Sequence, residues 1–386
     1  MKRVNLIWAI ILLMITGCGG QKQSDAFITV DVTKSYPKKE LILQDFMDVE
    51  YITLETTDEF LTQGYVVDIG KEIILVRNRI DDGDIFLFDR KTGQGIRKFN
   101  RQGQGPEEYA RILSPVLDED NGEIFIRDMA NRMLVYDLYG NFKRSFKFAN
   151  DAGYSDVFDY DKGNLICYDG SDYYNVGEDR SKAYHVIISK QDGNVIREIL
   201  IPFETIKTLV VRQGDYTSAT MMQQIIPNHG NWILVDTSSD TVYNYMPNDH
   251  KLIPFLVRTP SIHLMDPEVF LSMGILTDRY SFMITEKNVF DFETGRGFPS
   301  SQLLYDKMEN VIFECTVYNG DYTIKRPLSV TTRPINHEIA SSQILEAFRL
   351  VESYEKGELK DGKLKEIAAN LDEEDNPVIM LVKYKK

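Results

Sequence analysis

Three cysteines, five histidines and two tryptophans in 386 residues set the first limits on this chain. So few cysteines exclude a disulfide-stapled scaffold, and a chain of this length has no need of one. Cys167 and Cys315 each sit inside an apolar, strand-like run (164–168 and 311–317) and read as buried free thiols. Two isolated cysteines make no zinc site. His185, His229, His250, His263 and His337 form no H-x-H or H-x-x-x-H pair, so a metal triad would have to be assembled by the fold. His337-Glu338 lacks the second histidine of a zincin, and no G-x-S-x-G is present. Positive charge is scarce too: 44 Lys and Arg face 59 Asp and Glu, a net −15. Nucleic acid is excluded as a partner, because phosphate neutralisation needs clustered Lys and Arg. No metal or other cofactor is expected, and an enzyme is the less favoured reading. A carboxylate pair of the glycosidase kind stays open, since 59 acidic residues offer no basis for choosing one pair.

Long hydrophobic runs are also missing. The one apolar stretch near the start, residues 4–15 behind Lys2 and Arg3, is too short to span a bilayer and has the layout of a secretory signal peptide. Its end, Ile15-Thr16-Gly17-Cys18-Gly19, resembles the lipobox of bacterial lipoproteins, in which the cysteine is acylated and becomes the mature N-terminus. The expected organisation is a signal peptide over 1–17, a lipidated tether over 18–26 beginning at Cys18, and a single domain over 27–386. Loss of Lys2 and Arg3 with the signal takes the charge from −15 to −17. Such a surface is repelled by anionic head groups, which leaves the acyl chains, palmitate among them, to hold the protein at the membrane.

Helical periodicity is nearly absent up to residue 330, where short β-type runs alternate with turn residues. Residues 114–148 are clearest: strands at 115–117, 123–128, 132–137 and 142–148, joined by turns at 118–122, 129–131 and 140–141, make an up-and-down antiparallel sheet. The grammar of an apolar strand ending in a polar residue, then a turn and a strand, recurs at 85–93, 134–140, 186–193 and 303–310. A fainter copy lies at 241–246. A spacing of roughly 50 residues falls in the range of propeller blades. A lone four-stranded sheet cannot bury both faces, whereas radial packing of several does. The expected fold is therefore all-β, a six-bladed β-propeller. In the tail, residues 338–352 place Ile339, Ile344, Leu345, Phe348 and Val351 on one helical face, and a shorter helix is expected near 363–370. Residues 376–384 read as a strand, as do 50–55. These two are expected to share one blade and close the ring.

The run 115–137 resembles an NHL-type propeller repeat, through Asn121-Gly122-Glu123-Ile124-Phe125-Ile126-Arg127-Asp128 and Asn131-Arg132-Met133-Leu134-Val135-Tyr136-Asp137. With the connector 99–109 and the ending 365–382, the chain resembles an extracytoplasmic six-bladed β-propeller lipoprotein family of didermal bacteria. That resemblance implies a fold and a compartment, the cell envelope with the outer membrane favoured, and leaves the ligand open.

The connector 101–109 is the most distinctive run. Its glycines let the chain turn and approach a neighbour closely. Arg101, Gln104, Glu107 and Tyr109 either hold a polar ligand or cap strand ends between the first two blades. The loop 170–180 is the best recognition element in the sequence, with Tyr173 and Tyr174 as rings that stack on a sugar. Tyr216 lies in another long polar segment. The acidic turns 81–84 and 118–122 read as hairpin turns, since neither carries the distal Glu of a calcium loop. The function expected is a membrane-anchored binding protein for a glycan, a peptide or another envelope protein. A propeller hydrolase or lyase and a structural subunit of an envelope complex are the alternatives.

Overall fold

The alternation of apolar and turn residues becomes strand and hairpin throughout. A computed structural model describes residues 27–79, 82–149, 152–179, 182–330 and 334–385. Cys18 and the expected signal and tether lie outside the described residues, as does Asp81.

Among the described residues, six sheets of three to six strands stand in sequence order around one axis. Blade 1 comprises Tyr65–Ile69, Ile73–Arg77, Asp84–Asp89 and Gly95–Asn100, and blade 2 comprises Pro115–Asp118, Glu123–Asp128, Arg132–Asp137 and Phe142–Lys147. Blade 3 is Tyr154–Asp161, Asn164–Asp169, His185–Ser189 and Val195–Ile199. Blade 4 is Ile225–Asn228, Asn231–Leu234, Thr241–Met246 and Lys251–Thr259. Blade 5 is Val269–Leu276, Tyr280–Lys287, Ser300–Asp306 and Val311–Tyr318. Blade 6 pairs Ile339–Leu345 with Val378–Tyr384, and Val378–Tyr384 with Met47–Thr53. Front and rear of the chain thus share a sheet, as expected, and the ring closes. The first strands of blades 1, 2 and 3 touch one another, as do those of blades 4 and 5, which sets them at the axis.

Two strands went unread in the sequence. Ile28–Asp31 adds in parallel to the outer edge of blade 4, and Lys38–Ile42 does the same on blade 5, before the chain enters blade 6. Residues 28–53 therefore strap three consecutive blades and cover two edges that would otherwise expose unpaired backbone.

The helix expected over 338–352 is corrected. Residues Ile339–Leu345 form a strand, and the helix runs over Ala347–Glu355. Ile339, Ala340 and Ser341 are buried in a row, as a strand packed between neighbours requires, and that demand overrides the helical spacing. The buried helix positions are Ala347, Leu350 and Ser353, while Phe348 is half exposed. The short helix Lys363–Ala368 and the strand Val378–Tyr384 fall where expected.

The turn between third and fourth strands places a residue in the left-handed region in every four-stranded blade: Gly93, Gly140, Gly193, His250 and Asn310, with φ between 45° and 80°. The three glycines also abut the preceding blade. A Cβ on Gly140 would lie 2.5 Å from the Phe99 ring, and one on Gly193 2.4 Å from the Phe146 ring. Where a side chain is present it bonds a tyrosine five residues back, through Tyr245 Oη to His250 Nδ1 (2.9 Å) and Tyr305 Oη to Asn310 Oδ1 (2.6 Å). Cys167 and Cys315 are buried free thiols in blades 3 and 5, and burial pushes both thiols up.

Candidate functional site

In an up-and-down sheet, the turns after the first and third strands lie at one end of the blade. The loops after the second strand and the connectors after the fourth lie at the other. The residues expected at the site belong to the loop end. Arg101 donates from Nε to Gly140 O (2.8 Å) and from its backbone N–H to Tyr109 Oη (2.9 Å). Tyr109 is fully buried and donates its hydroxyl to Gly83 O at 2.6 Å. Both residues thus clamp blade 1 to blade 2, the capping role, and the Tyr109 ring is closed to a ligand. Gln104 and Glu107 are exposed, although the Glu107 carbonyl accepts from Tyr136 Oη. Tyr173 is buried and donates to Thr220 O (2.5 Å), while Tyr174 is 56% exposed beside it. Arg212 Nη2 donates to the Tyr174 carbonyl, and Tyr216 lies on the same hairpin as Arg212, 71% exposed. Of the six expected residues, Arg101, Gln104, Glu107 and Tyr174 are exposed, and Tyr109 and Tyr173 are buried.

The turn end carries what sequence reasoning missed. A cavity of about 280 Å³ opens at the axis. Its wall is apolar: Val67 and Ile69 from blade 1, Pro115 and Leu117 from blade 2, Val157 and Phe158 from blade 3, Pro227 and Trp232 from blade 4, and Pro334 and Ile335 ahead of blade 6. Short inner strands rich in β-branched and aromatic residues end here, and their last residues, their turns and the segment ahead of blade 6 supply the polar rim of Asp68, Lys71, Glu119, Asp120, Asp159, Asn336, His337 and Glu338. No motif marks the site in the sequence, because five blades contribute between two and five residues each. Superposing the hairpins by their first turns was the signal available.

Most of the rim joins one blade to the next. Asp68 accepts from the Leu117 N–H (2.7 Å), and Glu119 from the N–H groups of Lys71 and Glu72 (2.5 and 2.9 Å). Lys71 Nζ meets Asp120 at 2.7 Å, and Arg90 Nη2 meets Glu338 at 3.2 Å. Lys190, almost buried, donates to Asp118 Oδ2 (2.6 Å) and to Asp159 Oδ1 (2.7 Å). Asp118 belongs to the acidic turn 118–122, so that turn serves the blade seam. Burial in the cavity wall pushes the Asp159 carboxyl up to about 6, against the pull of Lys190.

A second cavity of about 380 Å³ lies beside the first, lined among others by His229, Arg279, Tyr280 and Tyr384. His229 sits in the turn between the first two strands of blade 4 with φ +45°, a conformation that costs a non-glycine residue of order 1 kcal/mol. Its ring lies 4.8 Å from that of Tyr384. His337 is held neutral, pushed down to about 4 by burial and then by the nearby His229. Among the described residues, no group of three His, Cys, Asp or Glu side chains is arranged to hold a metal ion.

Comparison with known proteins agrees with this architecture. A structure of an exported-protein candidate from Bacteroides fragilis is similar over 94% of this chain and all of its own, with 17% identity and a TM-score of 0.59. BamB from Moraxella catarrhalis is similar over 88% of this chain and 98% of its own, at 9% identity and a TM-score of 0.39. No curated protein sequence matches. The family model described as a 6-bladed beta-propeller matches residues 20–337, and the chain belongs to that family.

Proposed function

We propose that this protein is a lipid-anchored binding module of the cell envelope, held to the membrane through Cys18, with a ligand seated in the axial cavity at the turn end. The lipobox-like segment and the likeness to an exported-protein candidate support the compartment. The cavity carries the binding reading. It is apolar within, close to the lower end of the volumes that ligand sites occupy, and framed by turns of five blades. Each carboxylate on its rim already holds an ammonium, a guanidinium or a backbone N–H. The volume admits one side chain or one sugar ring, so the ligand is the terminus or side group of a glycan, peptide or envelope protein. The exposed Gln104, Glu107 and Tyr174 are a second candidate contact at the loop end, for a partner too large for the cavity.

A binding array of glycans and envelope peptides, read with the detergent-solubilised full chain, tests this reading. Ile335→Trp, which fills the cavity, is expected to abolish the signal while the melting temperature stays within a few degrees. Binding that survives this change and is lost in Tyr174→Ala would move the site to the loop end. Cys18→Ala is expected to abolish metabolic labelling by fatty acid, and undiminished labelling would refute the anchor.

A further inference from the structure

The axial cavity is one end of a longer groove. At Glu338 its lining passes into a depression of about 380 Å³ that Asp48, Lys383, Tyr384 and Lys385 complete. Through Tyr384 and Lys385 that depression passes in turn into the second cavity. Resting on the reading of the axial cavity as a ligand site, we propose that the ligand is an extended peptide segment. It seats one side chain in each cavity and lays its main chain over the depression between them.

The chemistry changes along the groove in the way such a segment requires. Val67, Leu117 and Ile335 give the axial cavity an apolar wall. The depression is polar. There the Tyr384 N–H donates to Glu338 O at 3.2 Å, and Lys383 Nζ meets Glu50 at 2.8 Å. Lys385 Nζ donates to the carbonyls of Gln44 and Asp45 at 2.9 and 3.1 Å. The second cavity joins the rings of Phe46, Tyr280 and Tyr384 to charges of both signs on Asp45, Asp278 and Arg279. An unbroken hydrocarbon such as an acyl chain would strip water from the polar floor and offer nothing in its place. A peptide main chain crosses that floor with its own N–H donors and C=O acceptors.

A sugar chain matches the groove less well. Its hydroxyls are costly to bury against the hydrocarbon of the axial wall. Stacking also needs an open ring face, and Trp232, Phe158, Tyr280 and Tyr384 are only 2%, 6%, 6% and 8% exposed. The Trp232 indole is already stacked on Tyr160, with centroids 6.0 Å apart.

The groove sets a pattern on the peptide. An extended chain advances about 3.3 Å per residue and points neighbouring side chains to opposite faces, so at least one residue separates the two anchors. The anchor in the axial cavity is aliphatic. The anchor in the second cavity is a ring with a polar edge, such as tyrosine or tryptophan.

A positional-scanning hexapeptide library bound to the detergent-solubilised protein tests the inference, with maltohexaose, cellohexaose and chitohexaose as sugar probes. The native protein is expected to select an aliphatic residue at one position and an aromatic residue at another, each at least about ten-fold over alanine. Ile335→Trp is expected to erase the aliphatic preference and keep the aromatic one. Asp278→Trp, which covers the second cavity from an exposed position on its rim, is expected to do the reverse. Both variants are checked for a melting temperature within a few degrees of the native value, and the selection on the native protein decides the matter where a variant fails to fold. Selection at one position only, erased by Ile335→Trp, would overturn the two-cavity claim and leave the axial cavity as a ligand site. Hexaose binding that both variants abolish, with no peptide selected, would overturn the peptide claim and give the groove to a glycan. No selection at any position, together with array ligands that ignore Ile335→Trp, would remove this inference and the axial reading alike.

Discussion

Trp232 and His337 meet edge to face, ring centroids 4.7 Å apart, although blade 5 stands between the blades they come from. The turn 229–231 reaches across the axis to do this, and the Gly230 N–H donates to His337 Nδ1 at 3.3 Å. His229 extends the same bridge onto Tyr384. The bridge divides the axial mouth. The first cavity lies among blades 1 to 4 and the segment ahead of blade 6, and the second among the strap, blade 5, His229 and Tyr384. The arrangement requires a neutral His337, since a protonated Nδ1 would point a proton at a backbone donor.

That requirement gives a pH prediction. His185, completely buried against Gln224 O, is also pushed down to about 4 by burial. In both histidines the folded pKa lies below the unfolded value, so their stabilising contribution is full above about pH 6.5 and lost as pH falls toward 4. Proton NMR of the ring protons is expected to place both midpoints well below the ordinary histidine value of about 6.5.

Asp236 acts in the opposite sense. It is 3% exposed, and burial pushes its carboxyl up to about 6. A raised carboxylate pKa costs stability as pH climbs from about 4 to 6, by roughly 1.4 kcal/mol per unit of difference. Asp236→Asn keeps an acceptor for the Ser238 N–H. It is expected to raise unfolding free energy by about 1–3 kcal/mol at pH 7.5 and by nothing near pH 4. Urea denaturation at the two pH values checks this.

The seam between blades 2 and 3 depends on Lys190. Lys190→Met leaves Asp118 buried without its cation and is expected to cost about 3–5 kcal/mol, with Asp118→Asn recovering part of the loss in the double variant. Additive losses in a double-mutant cycle would deny the coupling.

Turn glycines separate strain from collision. Gly122 has φ +63° and open space around its Cα, so Gly122→Ala is expected to cost about 1–2 kcal/mol from conformation alone. Gly93 has φ +73°, and its Cβ would fall on Thr53 O, so Gly93→Ala is expected to cost at least about 3 kcal/mol, because the blade 6 strand must also shift. Similar values for the two would remove the clasp between blades 6 and 1.

Ring closure was legible because Val378–Tyr384 is an apolar run near the end of the chain, and the segment around Met47–Thr53 reads as a strand near its start. Four of the five third-strand turns were legible, at 93, 140, 193 and 310, because each carries its left-handed residue soon after an apolar strand; the turn at His250 lies beyond the fainter copy at 241–246. The strap escaped notice: Ile28–Asp31 and Lys38–Ile42 are short, and a parallel edge strand needs a partner far away in sequence before it reads as one. The strand Ile339–Leu345 looked helical because buried residues in an inner strand do not alternate. In the connector, Arg101 and Tyr109 stood out for a reason that proved to be packing. The cavity left no local trace, since its lining comes from turns scattered between Val67 and Glu338.

The sequence has two tryptophans, and Trp8 lies in the segment read as a signal peptide, so the mature protein keeps one indole, Trp232, in the cavity wall. The most direct measurement is the emission of Trp232 in the mature protein as the best array ligand is titrated, beside calorimetry on the same sample. Ligand in the cavity predicts a saturable change in wavelength and intensity with the calorimetric midpoint. Calorimetric binding with unchanged Trp232 emission would contradict the account and move the ligand away from the cavity.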